Sequence, residues 1–141
     1  MWTCVLVILV TIQIYSCKPS YRDYIPNGYN VPNPCVSPGV WNAVGHYNPF
    51  HHTLIKNKFG RDFTSASNFW SLSLCRMDSD RDNKTNGEEL GDPNCIWFEG
   101  QTPSHTPMSH PGICEPVGDP NCLRQQGFTC DQMENSPHLK P

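Results

Sequence analysis

The chain is poor in charge and carries no recognisable catalytic signature. Only 16% of its 141 residues are Asp, Glu, Lys or Arg, and the net charge is −3. A weakly acidic chain without basic runs lacks the electrostatic footprint for nucleic acid or for an anionic membrane surface. No Gly-x-Ser-x-Gly elbow and no glycine-rich phosphate loop occur, so the chain is read as a non-enzyme. No Cys-x-x-Cys occurs either, which weakens a zinc reading of the cysteines. Beyond Ile14 no apolar run approaches the ~20 residues of a membrane-spanning helix.

The ends and the cysteines point to export. Trp2 to Ile14 is almost wholly apolar, centred on Val5-Leu6-Val7-Ile8-Leu9-Val10, with small residues behind it. That is the pattern of a secretory signal over residues 1–17, and it is too short for an anchor. Cleavage after Ser16 suits the small-residue rule, whereas cleavage after Cys17 evens the cysteine count; both stay open. Six cysteines then remain, Cys35, Cys75, Cys95, Cys114, Cys122 and Cys130, as expected of an oxidised, secreted, extracellular domain. Spacing alone does not choose among their fifteen possible connectivities. About 120 residues are left after processing, enough for one small core. All fourteen prolines and ten glycines lie in that part. Disulfides and a metal are the expected compensation for such a thin core.

The most informative segment is Asp78-Ser79-Asp80-Arg81-Asp82-Asn83-Lys84-Thr85-Asn86-Gly87-Glu88-Glu89. Counted from Asp78, oxygen-bearing side chains fall at positions 1, 3, 5, 9 and 12. That is the ligand order of an EF-hand calcium loop, in which position 7 contributes a backbone carbonyl. The candidate ligands are Asp78, Asp80, Asp82, Lys84, Asn86 and Glu89, with calcium as the cofactor. Asn83 stands at position 6 in place of Gly, and Asn tolerates the left-handed backbone required there. A solvated acidic turn is the competing reading. Asn83-Lys84-Thr85 is also an N-glycosylation sequon. A glycan on Asn83 competes with the calcium reading, and an unmodified or surface-tolerated sequon is preferred.

Along the mature chain, residues 18–38 read as extended and turn segments. Val40 to His46 and Thr53 to Ile55 are candidate short strands. Asp62 to Arg76 is the best helix, capped by Asp62 or Asn68, although the alternation from Trp70 to Leu74 also suits a strand. Glu88-Glu89-Leu90 leaves room for about one helical turn before Gly91-Asp92-Pro93. The expected class is therefore a small α+β, loop-rich, disulfide-stabilised single domain with one EF-hand-like calcium loop that lacks its exit helix. Cys75 and Cys95 flank this loop, and a bridge between them would contribute about 3 kcal/mol. Gly91-Asp92-Pro93-Asn94-Cys95 recurs as Gly118-Asp119-Pro120-Asn121-Cys122, read as two similar turns without domain duplication. Gln101 to Gly112 reads as a loop, Cys122 and Cys130 as a local ring, and residues 132–141 as a disordered tail.

His46, His51, His52, His105 and His110 lack the spacing of a transition-metal site and read as hydrogen-bonded turn residues. The cysteine spacing is too wide for an EGF-like framework.

Taken together, Tyr24-Ile25-Pro26-Asn27-Gly28, Pro34-Cys35, Trp41 to His46, Phe59 to Phe63, Trp70 to Cys75, Asp78 to Asp82, Thr85 to Pro93, Cys95 and Ser109 to Gly112 with Cys114 resemble the temptin family. These are secreted proteins first known from marine gastropod pheromone mixtures. The family loop more usually reads Asp-Ser-Asp-Gly-Asp-Gly, so Arg81 and Asn83 are departures. The resemblance implies nested bridges, Cys35–Cys114 around Cys75–Cys95, with Cys122–Cys130 outside the family core. It also implies a domain over 18–114 and an extension over 115–141. For function, it implies a water-borne attractant acting with attractin-type peptide pheromones or a cell-surface receptor. An extracellular calcium-binding matrix or adhesion module is the alternative, and a copper- or zinc-dependent secreted enzyme the second alternative.

Overall fold

The structure, a computed structural model, describes residues 20–50 and 52–133. The expectations for the leader at 1–17, for His51 and for residues 134–141 lie outside the described residues. The elements are short. A 3-10 turn at Tyr21–Tyr24 precedes α1 (Lys58–Ser65), α2 (Leu72–Arg76), α3 (Asn86–Leu90), α4 (Pro120–Gln126) and α5 (Cys130–Met133). No helix among the described residues is long and apolar enough to cross a membrane.

The β part of the expected α+β class is almost absent. Among the described residues, pairing is confined to two isolated antiparallel bridges, Pro32–Val40 and His46–Lys56. Val40 to His46 and Thr53 to Ile55 do not form strands. Pro32, Pro34 and Pro38 remove the N–H groups that a longer ladder would need.

The helix expected over 62–76 is two helices. Asn57 caps α1, its Oδ1 accepting from the Gly60 N–H at 2.8 Å. Its Nδ2 donates to the carbonyls of Val44 at 2.7 Å and His46 at 3.1 Å, so one buried side chain starts the helix and ties down the 44–46 turn. Ser67 and Asn68 then take φ of 59° and 57°, which ends α1. Ser71 restarts the chain as α2, accepting from the Leu74 N–H at 3.1 Å. The caps are therefore Asn57 and Ser71, not Asp62 or Asn68. Helix α1 lies flush on the chain at Gly45. A Cβ on Gly60 would stand 2.0 Å from the Gly45 carbonyl oxygen.

Two hydrophobic clusters hold the molecule. The larger joins Ile25, Val31, Val44, Phe59, Phe63, Trp70, Leu74, Cys75 and Leu90. The smaller buries Trp41, Ile113 and Val117, with Cys35, Tyr47, Phe128 and Cys130 packed against it. Bridges join Cys75 to Cys95, Cys35 to Cys130 and Cys114 to Cys122. This corrects both the Cys35–Cys114 bridge and the local Cys122–Cys130 ring. The chain turns after Cys114, the Asp119 N–H donating to the Pro116 carbonyl, and Asp119 caps α4 with Pro120 in its first turn. That places the Cα of Cys122 5.2 Å from that of Cys114. Gly127, left-handed at φ 74°, ends α4 and returns the chain so that Cys130 meets Cys35. Residues 115–130 thus pack on the second cluster as part of the same body.

The repeated pentapeptide serves two purposes. Asp119 caps a helix. Asp92 is buried and accepts the N–H groups of Ile96 and Trp97 and the indole Nε1–H of Trp70. It fixes the turn that presents Cys95 to Cys75.

Candidate metal centre

The segment 78–89 folds around the carboxylate of Asp78. Its Oδ1 accepts from the backbone N–H of Arg81 at 2.7 Å and of Asp82 at 3.2 Å, and its Oδ2 from Asn83 at 3.0 Å. Gathering three successive N–H groups winds the chain tightly, with Arg81 at φ 64° and Asn83 at φ 74°. Asn83 is exposed there. Asp82 Oδ1 accepts from the Lys84 N–H at 3.0 Å, and the Lys84 ammonium pairs with Oδ2 at 2.9 Å. The carboxylates of Asp78, Asp80 and Asp82 each bring an oxygen within 4.8 Å of the others.

Helix α3 supplies the far wall. Thr85 and Glu88 form a reciprocal capping box that sets where the helix begins. This orients Asn86 and Glu89 inward and leaves Glu88 exposed. Behind α3 the fit is close: a Cβ on Gly87 would meet Cys75 Sγ at 2.4 Å and the Asp92 carbonyl oxygen at 2.6 Å. Helices α2 and α3 pack together in front of the Cys75–Cys95 bridge.

The unsatisfied atoms define the chemistry. Asp80 is 1% exposed, and Asn86 and Glu89 are 0% exposed. Both carboxylate oxygens of Asp80, Oδ1 of Asn86 and Oε2 of Glu89 have no hydrogen-bond partner. Asn86 spends its Nδ2 on the Leu74 carbonyl and Ser79 Oγ, so the oxygen left over is an acceptor. Burial, then the charges of Asp82 and Asp78, push the Asp80 carboxyl far above its ordinary value. Burial, then the charge of Asp80, does the same to Glu89, although the Ser109 hydroxyl opposes it. Burial also raises Glu115, which takes the His110 N–H. Acceptor-only oxygens collected in a buried site are costly without a compensating positive charge. An all-oxygen donor set of carboxylates and an amide fits a hard cation such as calcium. The side chain of the sixth candidate, Lys84, lies on Asp82, so Lys84 could join that set only through its backbone carbonyl.

Three neighbours had no role assigned from the sequence. Ser109 Oγ donates to Glu89 Oε1 at 2.8 Å, and the Met108 N–H donates to the Glu89 carbonyl at 2.8 Å. Gln125 of α4 donates to the Arg81 carbonyl at 3.1 Å and accepts from Lys58 of α1 at 3.0 Å. Ser109 sits in a stretch that reads as a featureless loop, and no local pattern marks a hydroxyl recruited from 20 residues away.

Among the described residues the histidines do not gather into a group of three. Among the described residues, the trio of aspartates is the one group of three metal-ligating side chains. His110 is buried against Trp41, its Nδ1 accepting from the Gly112 N–H, and burial pushes its pKa down to about 3. His46 meets His52 edge to face at 5.1 Å, and His105 bonds Ser104.

Comparison with known proteins decides the family. The family model described as Temptin C-terminal matches residues 15–113. The chain belongs to the temptin family. It is 45% identical to temptin of Aplysia californica over 111 residues, which is 78% of this chain and 88% of that protein. No solved structure matches significantly. The family-model match takes in residues 78–89 together with Ser109, while Glu115 lies beyond it. It ends just before Cys114, so α4, α5 and three of the bridging cysteines lie beyond it.

Proposed function

We propose that this chain is a secreted, water-borne pheromone component that acts with attractin-type peptide pheromones and carries a structural calcium ion at 78–89. Membership of the temptin family supports the pheromone role. One observation carries the calcium site: the buried oxygens of Asp80, Asn86 and Glu89 lack partners at positions 3, 9 and 12 of the loop. The ion would be held by Asp78, Asp80, Asp82, Asn86, Glu89 and the Lys84 carbonyl. With α3 ending at Gly91, there is no long exit helix to reorient, so calcium holds shape rather than reporting concentration. A shape-holding extracellular site belongs in the range of about 10⁻⁴ to 10⁻³ M. Three bridges and a bound ion would protect the protein against proteases and dilution.

Calorimetric titration of wild type and Glu89→Gln with calcium tests the site, since equal heats in the two proteins would end this reading. The signalling role is tested by behavioural attraction to a peptide pheromone with and without the calcium-loaded protein. No added attraction would refute it and leave the calcium site standing.

A further inference from the structure

A second site lies apart from the acidic loop. A cavity of about 470 Å³ opens between the 3-10 turn, the 42–46 turn and α1, and shares no lining residue with 78–89. That size suits a small organic ligand. Its walls include Ile25, Val44, Phe59 and Phe63, with Phe59 and Phe63 stacked at 6.0 Å. Tyr21, half-exposed, stands edge-on to Phe63 and extends the apolar surface.

The charged lining is of one sign. Among the described residues, Arg22 and Lys56 line the cavity and no Asp or Glu does. Each cation is held in place by neutral partners. Arg22 stacks on the Tyr29 ring at 4.2 Å and donates to Asn42 Oδ1 at 3.1 Å. The Lys56 ammonium donates to Thr64 Oγ1 at 2.7 Å. Among the described residues the one ion pair is Lys84 with Asp82, so neither cavity cation is neutralised by a carboxylate. A protein of net charge −3 that keeps two unpaired cations beside an aromatic pocket presents a complement to an anion with an apolar body.

We propose that this cavity binds a small carboxylic acid with an aliphatic or aromatic body. The body lies against Ile25, Val44, Phe59 and Phe63, and the carboxylate meets Arg22 and Lys56. A bare anion would leave the apolar walls wet, and a neutral apolar molecule would leave both cations unused.

The test is an NMR titration of the calcium-loaded full protein, following backbone amides. The probes are octanoate, octanol and acetate: body with charge, body alone and charge alone. Octanoate is expected to give saturable shifts at Gly45, Gly60 and Phe63, with octanol about tenfold weaker and acetate without saturation. Lys56→Gln and Arg22→Gln change exposed or rim side chains, and each is expected to weaken octanoate about tenfold while leaving octanol unchanged. Equal affinity for octanoate and octanol, saturation only at amides away from the cavity, or no saturation with octanoate would overturn the proposal. None of these outcomes bears on the calcium site.

Discussion

Ser109 Oγ donates to Glu89 Oε1 at 2.8 Å, and Glu89 Oε2 beside it is buried with no partner. One oxygen is held by the 104–110 loop and the other is free for an ion, so Ser109 acts as the support that aims the carboxylate. Loss of such a supporting hydrogen bond typically lowers metal affinity ten- to a hundredfold. Ser109→Ala is therefore expected to weaken calcium about tenfold or more in calorimetric titration. Unchanged affinity would show that α3 alone positions Glu89.

The acidic site should make stability fall with rising pH without calcium, and calcium should suppress that dependence. Burial and mutual repulsion raise Asp80 from 3.8 to about 8 and Glu89 from 4.5 to about 9. Asp78, Asp82 and Glu115 face the same space, and the nearby cations include Lys84, Lys58, Arg61 and Arg81. A carboxyl raised in the folded state binds its proton more tightly there than in the unfolded chain. Its contribution is full below the ordinary values and is lost as pH rises through the folded ones. In chelator, the melting temperature should fall between about pH 5 and pH 9. Bound calcium would replace those protons, so saturating calcium should suppress the fall, and the apparent affinity should rise with pH by up to about tenfold per unit for each proton released. Equal melting temperatures in chelator at both ends of that range would contradict the assignment.

The three bridges close loops of very different length, with sequence separations of 95, 20 and 8. On the chain-entropy relation, Cys35–Cys130, Cys75–Cys95 and Cys114–Cys122 contribute about 4.7, 3.3 and 2.5 kcal/mol respectively. Peptide mapping of the unreduced protein should recover these pairs. Paired Cys→Ala variants in chemical denaturation should lose stability in that order, and the Cys75→Ala/Cys95→Ala protein should also bind calcium more weakly.

Trp70 and Asp92 form the internal polar contact that stiffens the wall behind α3. Trp70→Phe removes the indole donor at 3.0 Å from Asp92 Oδ2, while the Ile96 and Trp97 N–H groups stay bonded to that carboxylate. With those partners kept, the expected cost is about 1–2 kcal/mol, seen as a lower denaturant midpoint at unchanged slope. A neutral effect would assign the fixing of Cys95 to the backbone donors alone.

Local features were legible where a few neighbouring residues settle them. The alternation of Asp78, Asp80 and Asp82 brings three carboxylates together because every second side chain of a tight loop faces inward. Asn83 takes the left-handed backbone that its type permits, and Gly91 stops α3 after barely more than a turn. The split between α1 and α2 was harder to read. Phe63, Trp70, Leu74 and Met77 keep a helical recurrence across it, and the stop depends on two left-handed residues, Ser67 and Asn68, inside that pattern.

Composition and short motifs already mark a cysteine- and proline-rich, loop-rich chain of the temptin family with one acidic ladder, although they also suggest two strands that do not form. Tertiary structure decided which cysteines meet, which hydroxyl supports Glu89, and that Arg22 and Lys56 frame an apolar cavity. Those relationships join residues 8 to 95 positions apart, or bring separate turns to one surface. Such contacts depend on where two thin hydrophobic clusters close over the chain. Residue spacing carries no record of that, because nothing periodic connects a side chain to a partner from another turn.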